Sequence, residues 1–473
     1  MLTYTLGKNE KQSLYEQLYQ AIRADILSGK LAAGQRLPSR RALAQHLEIS
    51  TVTVKNAYEQ LVAEGYLRTR QRSGYYVSEV ERPLAGVHQP APAVPAASAG
   101  GEPWYLDFVT NSIDPDYFPF TVWARLMRQT ILEQDKALLR STPYNGAPEL
   151  RQAIAEYLQQ FRGMQVDPEQ IIVGAGTEVL YHLLIQLLGR DKCYAVEEPG
   201  YNKITAIYQS NQVQVRRIGL DEGGLDVAQL RRVPAQVVHI SPSHHYPTGT
   251  VMPIGRRQEL LRWAAEGPER YILEDDYDSE FRFVGRPIPT LYSTDENQRV
   301  IYLNTFSKTI APSIRISYMI LPPRLLTRYR QRLGFYACTV SGFEQYTLAA
   351  FLQRGHFERH LGRMRTRYRQ KRDSVIEQFQ QGALAGLVTI AGQDAGLHFL
   401  AHLQTQLPDE TLCRRAAGQG LRLAMLSDYY QVPQQARPHV LVVNYSGIDI
   451  CRLPQALERL ANILREDTTC TMN

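Results

Sequence analysis

The run Asn304-Thr305-Phe306-Ser307-Lys308, with Arg315 seven residues beyond the lysine, carries the residue types best suited to covalent chemistry in this 473-residue chain. It directly follows an apolar, strand-like stretch, Val300 to Leu303. A lysine at a strand end, where desolvation lowers its pKa, can form a Schiff base with an aldehyde. The hydroxyls of Thr305 and Ser307, together with Arg315, can hold a phosphate. Alone the run is weak, because Ser-Lys pairs are common and usually solvated. A second segment, Glu274-Asp275-Asp276-Tyr277-Asp278, strengthens it. Asp275 and Tyr277 are two apart, so on an extended strand both point to one face. A carboxylate there can pair with a protonated ring nitrogen and a phenol can donate to a ring oxygen, which keeps a pyridine ring an electron sink. The alternative, an acidic surface loop, fits less well because the cluster immediately follows a buried-type strand.

Three further segments end strands in the same way. Gly174-Ala175-Gly176-Thr177 passes into a long helix, so its N–H groups and the positive helix end can receive phosphate. Glu198-Pro199-Gly200-Tyr201 presents an aromatic ring that can stack on a planar cofactor. Pro242-Ser243-His244-His245-Tyr246-Pro247-Thr248-Gly249 brings polar groups to the same edge, although a lone His244 more often reads as a satisfied structural histidine.

The elements that must position these residues are strands at about 170–173, 192–196, 237–240, 271–273 and 300–303, alternating with long amphipathic helices. That alternation predicts an α/β fold with a mostly parallel sheet covered on both sides. Ligands in such sheets sit at the carboxyl ends of the strands, where all five segments fall.

Upstream lies a different pattern. Leu14, Leu18, Ile22 and Ile26 recur at helical spacing; Pro38-Ser39 caps a short helix carrying Leu43 and Leu47; and Thr51 to Glu64 forms a third helix, with Val54, Ala57, Tyr58 and Leu61 on one face and Gly65 closing it. Two strands, Tyr66 to Thr69 and Tyr75 to Val77, follow around Gln71-Arg72-Ser73-Gly74. Two helices joined by a tight turn, then a basic hairpin, describe a winged helix-turn-helix. Ser50, Thr51, Thr53 and Lys55 on the third helix suit base edges and phosphate, Arg40 and Arg41 begin the preceding helix near the DNA backbone, and Arg70 and Arg72 decorate the wing. A small helical domain with a polar exterior is the bland alternative.

Between these patterns, Pro83, Pro90, Pro92, Pro95 and Pro103 are interspersed with Ala, Gly and Ser, which predicts a linker at 81–103 between domains at 1–80 and 104–473. Of the net charge of +6, residues 1–80 hold +4, so the first segment is the more basic per residue. The five cysteines are scattered, with no CxxC, and suggest neither a disulfide framework nor a zinc site. No stretch is apolar enough for a membrane span and no signal peptide opens the chain, so a cytoplasmic location is expected.

The N-terminal runs Leu37-Pro38-Ser39-Arg40-Arg41-Ala42-Leu43-Ala44, Thr53-Val54-Lys55-Asn56-Ala57-Tyr58 and Ser73-Gly74-Tyr75-Tyr76-Val77 resemble the DNA-binding domain of GntR-type regulators over about residues 12–78. Thr51 and Arg72 depart from residues common there, arginine and glycine. The strand-end segments, jointly and in order, resemble fold-type I pyridoxal-phosphate enzymes of the aminotransferase class over about residues 105–465. The whole chain thus resembles the MocR/GabR-type regulators. By that resemblance Lys308 would carry the cofactor as an internal aldimine, Asp275 would hold the pyridine nitrogen, Tyr277 the O3′ oxygen and Tyr201 the ring face. Thr305, Ser307, Arg315, Gly176 and Thr177 would surround the phosphate, with Tyr144 reaching that of a neighbouring subunit. His244 would stand at the cofactor and Lys203 near an effector. The expected partners are double-stranded operator DNA, an amine or pyridoxal phosphate as effector, and a second copy of the chain.

Aminotransferases hold a substrate carboxylate with an arginine near the C-terminus. Here the matching stretch, Leu441-Val442-Val443-Asn444-Tyr445-Ser446-Gly447, has valine in its place, and Arg422 and Arg437 are the nearest substitutes. Three readings stay open: a DNA-binding sensor of pyridoxal phosphate or of an amine that reacts with it, a working aminotransferase with a DNA-binding appendage, and a regulator whose larger domain only dimerises.

Overall fold

The computed structural model describes residues 2–7, 12–70, 73–80, 104–111, 113–133, 135–285 and 288–470; Arg72 and the expected linker lie outside them. The chain divides into two compact units, Met1–Gly101 and Glu102–Asn473.

In the smaller unit, α1 (Leu14–Leu27), α2 (Arg40–His46) and α3 (Thr51–Ala63) precede an antiparallel hairpin of β1 (Leu67–Arg70) and β2 (Gly74–Val77), registered from Leu67 opposite Val77 to Arg70 opposite Gly74. Each helix starts where its sequence can satisfy the free N–H groups. Ser39 and Ser50 accept from the N–H of Ala42 and Thr53, at 3.2 and 3.0 Å. Gly65 follows α3 with φ 82°, the left-handed position that ends a helix at no steric cost. Leu18, Ile22 and Ile26 of α1, Leu43 of α2 and Val54, Ala57, Tyr58 and Leu61 of α3 form the core with Leu67 and Val77 of the hairpin. Leu14 and Leu47, expected among them, are half-buried. Full burial of each such aliphatic side chain contributes roughly 1.5–3 kcal/mol, which holds the helix pair and the wing together.

The larger unit is built on an eight-stranded sheet. Its spatial order is Ile171–Gly174, Ser317–Ile320, Val300–Thr305, Tyr271–Asp275, Val237–Ile240, Cys193–Glu198, Gln214–Asp221 and Gly224–Leu225. The middle strands, from Val300–Thr305 to Gln214–Asp221, are mutually parallel. Ser317–Ile320 runs antiparallel to both neighbours and was not anticipated from sequence. It follows Val300–Thr305 through a short loop and a single 3₁₀ turn, Pro312–Ile314, too little chain for the helical crossover that a parallel neighbour needs. Four of the expected strands extend one or two residues further than expected at their carboxyl ends, carrying Gly174, Glu198, Asp275 and Thr305 in strand conformation.

A smaller antiparallel sheet, Val388–Ala391, His398–Leu403 and Val440–Asn444, packs through Phe399, Ala401, Leu441 and Val443 against the long helix His356–Gln381 and the Leu453–Cys470 helix. Among the described residues no helix is long and apolar enough to cross a membrane.

Candidate functional site

The carboxyl edge of the large sheet opens into a cavity of about 540 Å³. Register explains the convergence. Leu303 lies opposite Asp275, Thr305 opposite Ser317, and Ser317 opposite Gly174, so these strand ends sit at one level. Ten of the residues expected at a cofactor or effector line this cavity: Gly176, Thr177, Tyr201, Lys203, Asp275, Tyr277, Thr305, Ser307, Lys308 and Arg315.

Burial pushes the Lys308 ammonium down to about 8, with the Asp278 charge opposing, which leaves a reactive neutral amine accessible near neutral pH. Asp275 is held from behind. Its Oδ2 accepts from the Tyr181 hydroxyl at 2.6 Å and lies 3.5 Å from His239 Nε2, whose other ring nitrogen meets Tyr208 at 2.8 Å. Its Oδ1 is buried with no partner. A buried, unpaired carboxylate oxygen is costly unless a donor reaches it. A pyridinium N–H is such a donor, so the carboxylate fits that role. Tyr277 stays protonated, because burial and the neighbouring Asp278 push its pKa well above the ordinary phenol value, and so it keeps a proton to donate.

The end expected to take phosphate is equally specific. Gly176 has φ 92° and caps the Thr177–Leu188 helix, and a Cβ there would collide with the Arg315 guanidinium. Only glycine allows that approach. Thr305 Oγ1 accepts from the Ser307 N–H at 3.1 Å and from Ser317 at 2.8 Å, which fixes the turn before the lysine, and Ser307 Oγ is buried without a partner. Arg315 itself takes the left-handed conformation, φ 52°. That is a strained backbone for a non-glycine residue and aims its side chain across the cavity toward Gly176.

Two expected residues fall elsewhere. His244 lies behind Tyr277: its Nδ1 is 2.9 Å from Asp278 and 3.3 Å from the Tyr277 hydroxyl, and its ring packs 4.6 Å from that of His398. The cavity wall expected of it is formed by Tyr246, whose hydroxyl bonds that of Tyr429 at 2.7 Å. Tyr144 packs on Tyr329 and accepts from Arg330 at 3.0 Å, away from the cavity of its own chain. Reasoning from sequence also missed Tyr181, His239, Glu178, the Glu197–His245 pair and the segment Val109–Asn111, all of which line the cavity. Tyr181 was legible, being one helical turn beyond Thr177. Val109–Asn111 was not, because only the tertiary fold brings it there. Burial pushes Glu197 up to about 8 and His245 down to about 3, so both are neutral at their 3.5 Å separation.

Among the described residues that line the cavity, no arginine is left for a substrate carboxylate. Val443 is fully buried in the core of the smaller sheet, Arg422 pairs with Asp107 at 3.1 Å, and the lysines and arginines lining the cavity are Lys203, Lys308 and Arg315.

On the smaller unit, Arg40, Arg41, Thr51, Lys55 and Arg70 are exposed. Arg40 and Arg41 occupy the first turn of α2, where the helix dipole disfavours cations by about 0.3–1 kcal/mol each and an anionic partner would reverse the penalty. Arg70 stacks over Tyr76 at 4.9 Å, which steadies it on the wing. Ser50 and Thr53 are more committed than expected. The Ser50 hydroxyl caps α3 and meets the Thr53 hydroxyl at 2.8 Å, so both groups serve the helix start first.

Residues 108–430 match the family of class I and II aminotransferases, and residues 14–77 the gntR family of bacterial regulatory proteins. The chain is 33% identical to the probable rhizopine catabolism regulatory protein MocR of Rhizobium meliloti, over 97% of this chain and 94% of that protein. It is 32% identical to the pyridoxine biosynthesis transcriptional regulator PdxR of Corynebacterium glutamicum, over 91% of each. Among solved structures, the multiple substrate aminotransferase of Thermococcus profundus matches 77% of this chain and 92% of its own with a TM-score of 0.68 at 22% identity, a likeness of fold.

Proposed function

Since the chain belongs to the MocR/GabR-type branch of the GntR regulators, we propose that it is a pyridoxal-phosphate-dependent transcription regulator whose DNA binding responds to the cofactor itself or to an amine that reacts with it. The observation that carries this reading is one cavity that joins Lys308, the unpaired Asp275 oxygen and a candidate phosphate cradle, with no arginine besides Arg315 among the described residues that line it. Turnover of amino acids asks for a bidentate grip on that carboxylate. Sensing does not.

When bound, pyridoxal phosphate supplies an aldehyde open to amines and a ring that withdraws electrons. Asp275 would hold the ring nitrogen, Tyr277 would donate to the ring oxygen, and Thr177, Thr305, Ser307 and Arg315 would take the phosphate, while Lys308 would offer its amine. Tyr201, about half exposed, covers the ring face at the mouth, with Lys203 two residues on.

The smaller unit binds double-stranded DNA, with α3 in the major groove and the β1–β2 wing on the flanking backbone. A homodimer is supported by the apolar surface of the Phe120–Glu133 helix, where Phe120, Ile131 and Leu132 are exposed, and by operator half-sites being read in pairs. The cytoplasm is the compartment where such a protein meets its operator. Genes for making vitamin B6 or for using amines are the proposed targets, the former in line with PdxR, a regulator of pyridoxine biosynthesis. Ligand changes DNA binding only if it binds two conformations with different affinity.

Purified protein titrated with pyridoxal phosphate is expected to develop the visible absorbance of a lysine-bound cofactor, and Lys308→Ala to lose it while keeping its circular-dichroism spectrum. A wild type that stays colourless overturns the reading. Sustained amino-group transfer from an amino acid favours a working aminotransferase instead.

A further inference from the structure

Glu178 is the first residue after the phosphate-binding Gly176-Thr177 pair, and its carboxylate already holds both cations at that end of the cavity. One oxygen bonds the Arg315 guanidinium and the other the Lys203 ammonium. The Thr177–Leu188 helix adds its positive end beside them. The group is anionic, since the Lys203 and Arg315 hydrogen bonds hold its carboxyl below the usual range against a smaller opposing effect of burial. A phosphate monoester brings roughly 1.5–2 negative charges to the same place. Glu178 engages the Arg315 guanidinium through one nitrogen, so a phosphate that takes the remaining N–H groups must share the cation with a carboxylate a few ångströms away.

We propose that Glu178 is an internal competitor for the cofactor's phosphate, weakening the grip of Arg315 so that occupancy of the pocket follows the level of free cofactor. The proposal rests on the reading of this cavity as a pyridoxal-phosphate site and assigns that site a tuning residue. Glu178 acts through Arg315, as a positioning and specificity residue, and forms no bond to the cofactor. Lys203 enters the same balance: by holding one oxygen of Glu178 it draws charge away from Arg315. Losing Lys203 therefore frees Glu178 to pair with Arg315 more fully.

The sign of each effect follows. A like charge a few ångströms from the phosphate, in a partly wetted site, costs on the order of tenfold in affinity. Glu178→Gln keeps the shape and removes the charge, so it should tighten pyridoxal phosphate about tenfold and leave pyridoxal, which lacks the phosphate, within about twofold. Lys203→Met should weaken pyridoxal phosphate in the wild-type background and have a smaller effect in the Glu178→Gln background.

The test is equilibrium titration of the full-length wild type, Glu178→Gln, Lys203→Met and the double variant with pyridoxal phosphate and separately with pyridoxal, read by the absorbance of the lysine-bound aldehyde. Glu178→Ala provides a second route to the same sign should the glutamine variant fold poorly. Tightening confined to the phosphorylated compound supports the proposal. Equal affinities in wild type and both Glu178 variants overturn it and leave the cofactor reading intact, as does equal tightening of both compounds. Failure of every protein to bind either compound overturns the cofactor reading and this inference with it.

Discussion

The two units place their charges in opposite physical settings. On the smaller unit, Arg40, Arg41, Lys55 and Arg70 are exposed to water, where interactions are weak and screened. In the cavity, Lys308, Asp275, Glu178 and Arg315 are close-set, partly desolvated and dependent on one another. The difference teaches what each surface can do. An exposed row of cations sums many small contributions and suits a long polyanion. A cavity with buried unpaired oxygens, those of Asp275 and Ser307 among them, and a lysine of lowered pKa suits a single small ligand, and a change at any one position there should be felt in full.

The sharpest attempt to break this contrast is Asp275→Ala. It removes the carboxylate proposed to partner the ring nitrogen and should reduce pyridoxal-phosphate affinity by about a hundredfold or more, as expected for a charged hydrogen bond of roughly 3 kcal/mol. Thermal stability should not fall to match, because the residue deleted carries a buried oxygen without a partner. Retained cofactor affinity would show that the cavity does not depend on single groups.

Next in size is Gly176→Ala. The added methyl meets the Arg315 guanidinium, the backbone there has positive φ, and either the arginine or the turn must move. About a tenfold loss of the phosphorylated cofactor is expected, with pyridoxal less affected. Equal losses for both would point to a disturbed fold instead of a disturbed phosphate cradle.

A pH dependence separates the two units further. Burial holds the Lys308 pKa down to about 8, below its ordinary value, so the neutral amine that attacks an aldehyde grows as pH rises through about 8. The rate of cofactor uptake should climb from pH 6.5 and level off above 8.5. The same depression means that the unfolded chain binds more protons between about 8 and the ordinary lysine range, so this group's contribution to stability also rises with pH across that window. A rate that keeps climbing past pH 8.5 toward the ordinary lysine range would instead place the lysine in water.

The same contrast governs what could be read before the fold was known. In the smaller unit every functional side chain lies within about forty residues, and caps such as Ser39 and Ser50 and the closing Gly65 are local signals, so the helices and the hairpin were legible almost residue by residue. The antiparallel Ser317–Ile320 strand was not, because short apolar runs carry no sign of their direction. In the cavity, residues that end strands were legible, since strand ends at one sheet edge converge. The second layer was not: His239 and Tyr181 reach Asp275 from two other elements, and Tyr246 takes the wall where His244 was expected because the His244 ring is held by Asp278 and Tyr277.

For the DNA-binding face the expected changes are smaller and depend on salt. Arg41→Ala should weaken operator and non-operator DNA alike, by about threefold to tenfold at low salt, and reduce the slope of log affinity against log salt by about one. Fluorescence anisotropy across a salt series measures both.

The smallest effect is the most discriminating. Lys55 lies 3.7 Å from Glu59, one turn along α3, with both side chains about half exposed. Such pairs contribute only about 0.3–0.5 kcal/mol to the helix, but Glu59 also partly neutralises the cation that must meet phosphate. Glu59→Gln should therefore raise DNA affinity about twofold at low salt, fading as salt screens both partners. Glu178→Gln is the same substitution in the cavity, a carboxylate withdrawn from a cation that must receive phosphate, and is expected to gain about tenfold. If the two gains were equal, the distinction between a solvated row of charges and a coupled, partly buried set would not hold for this molecule.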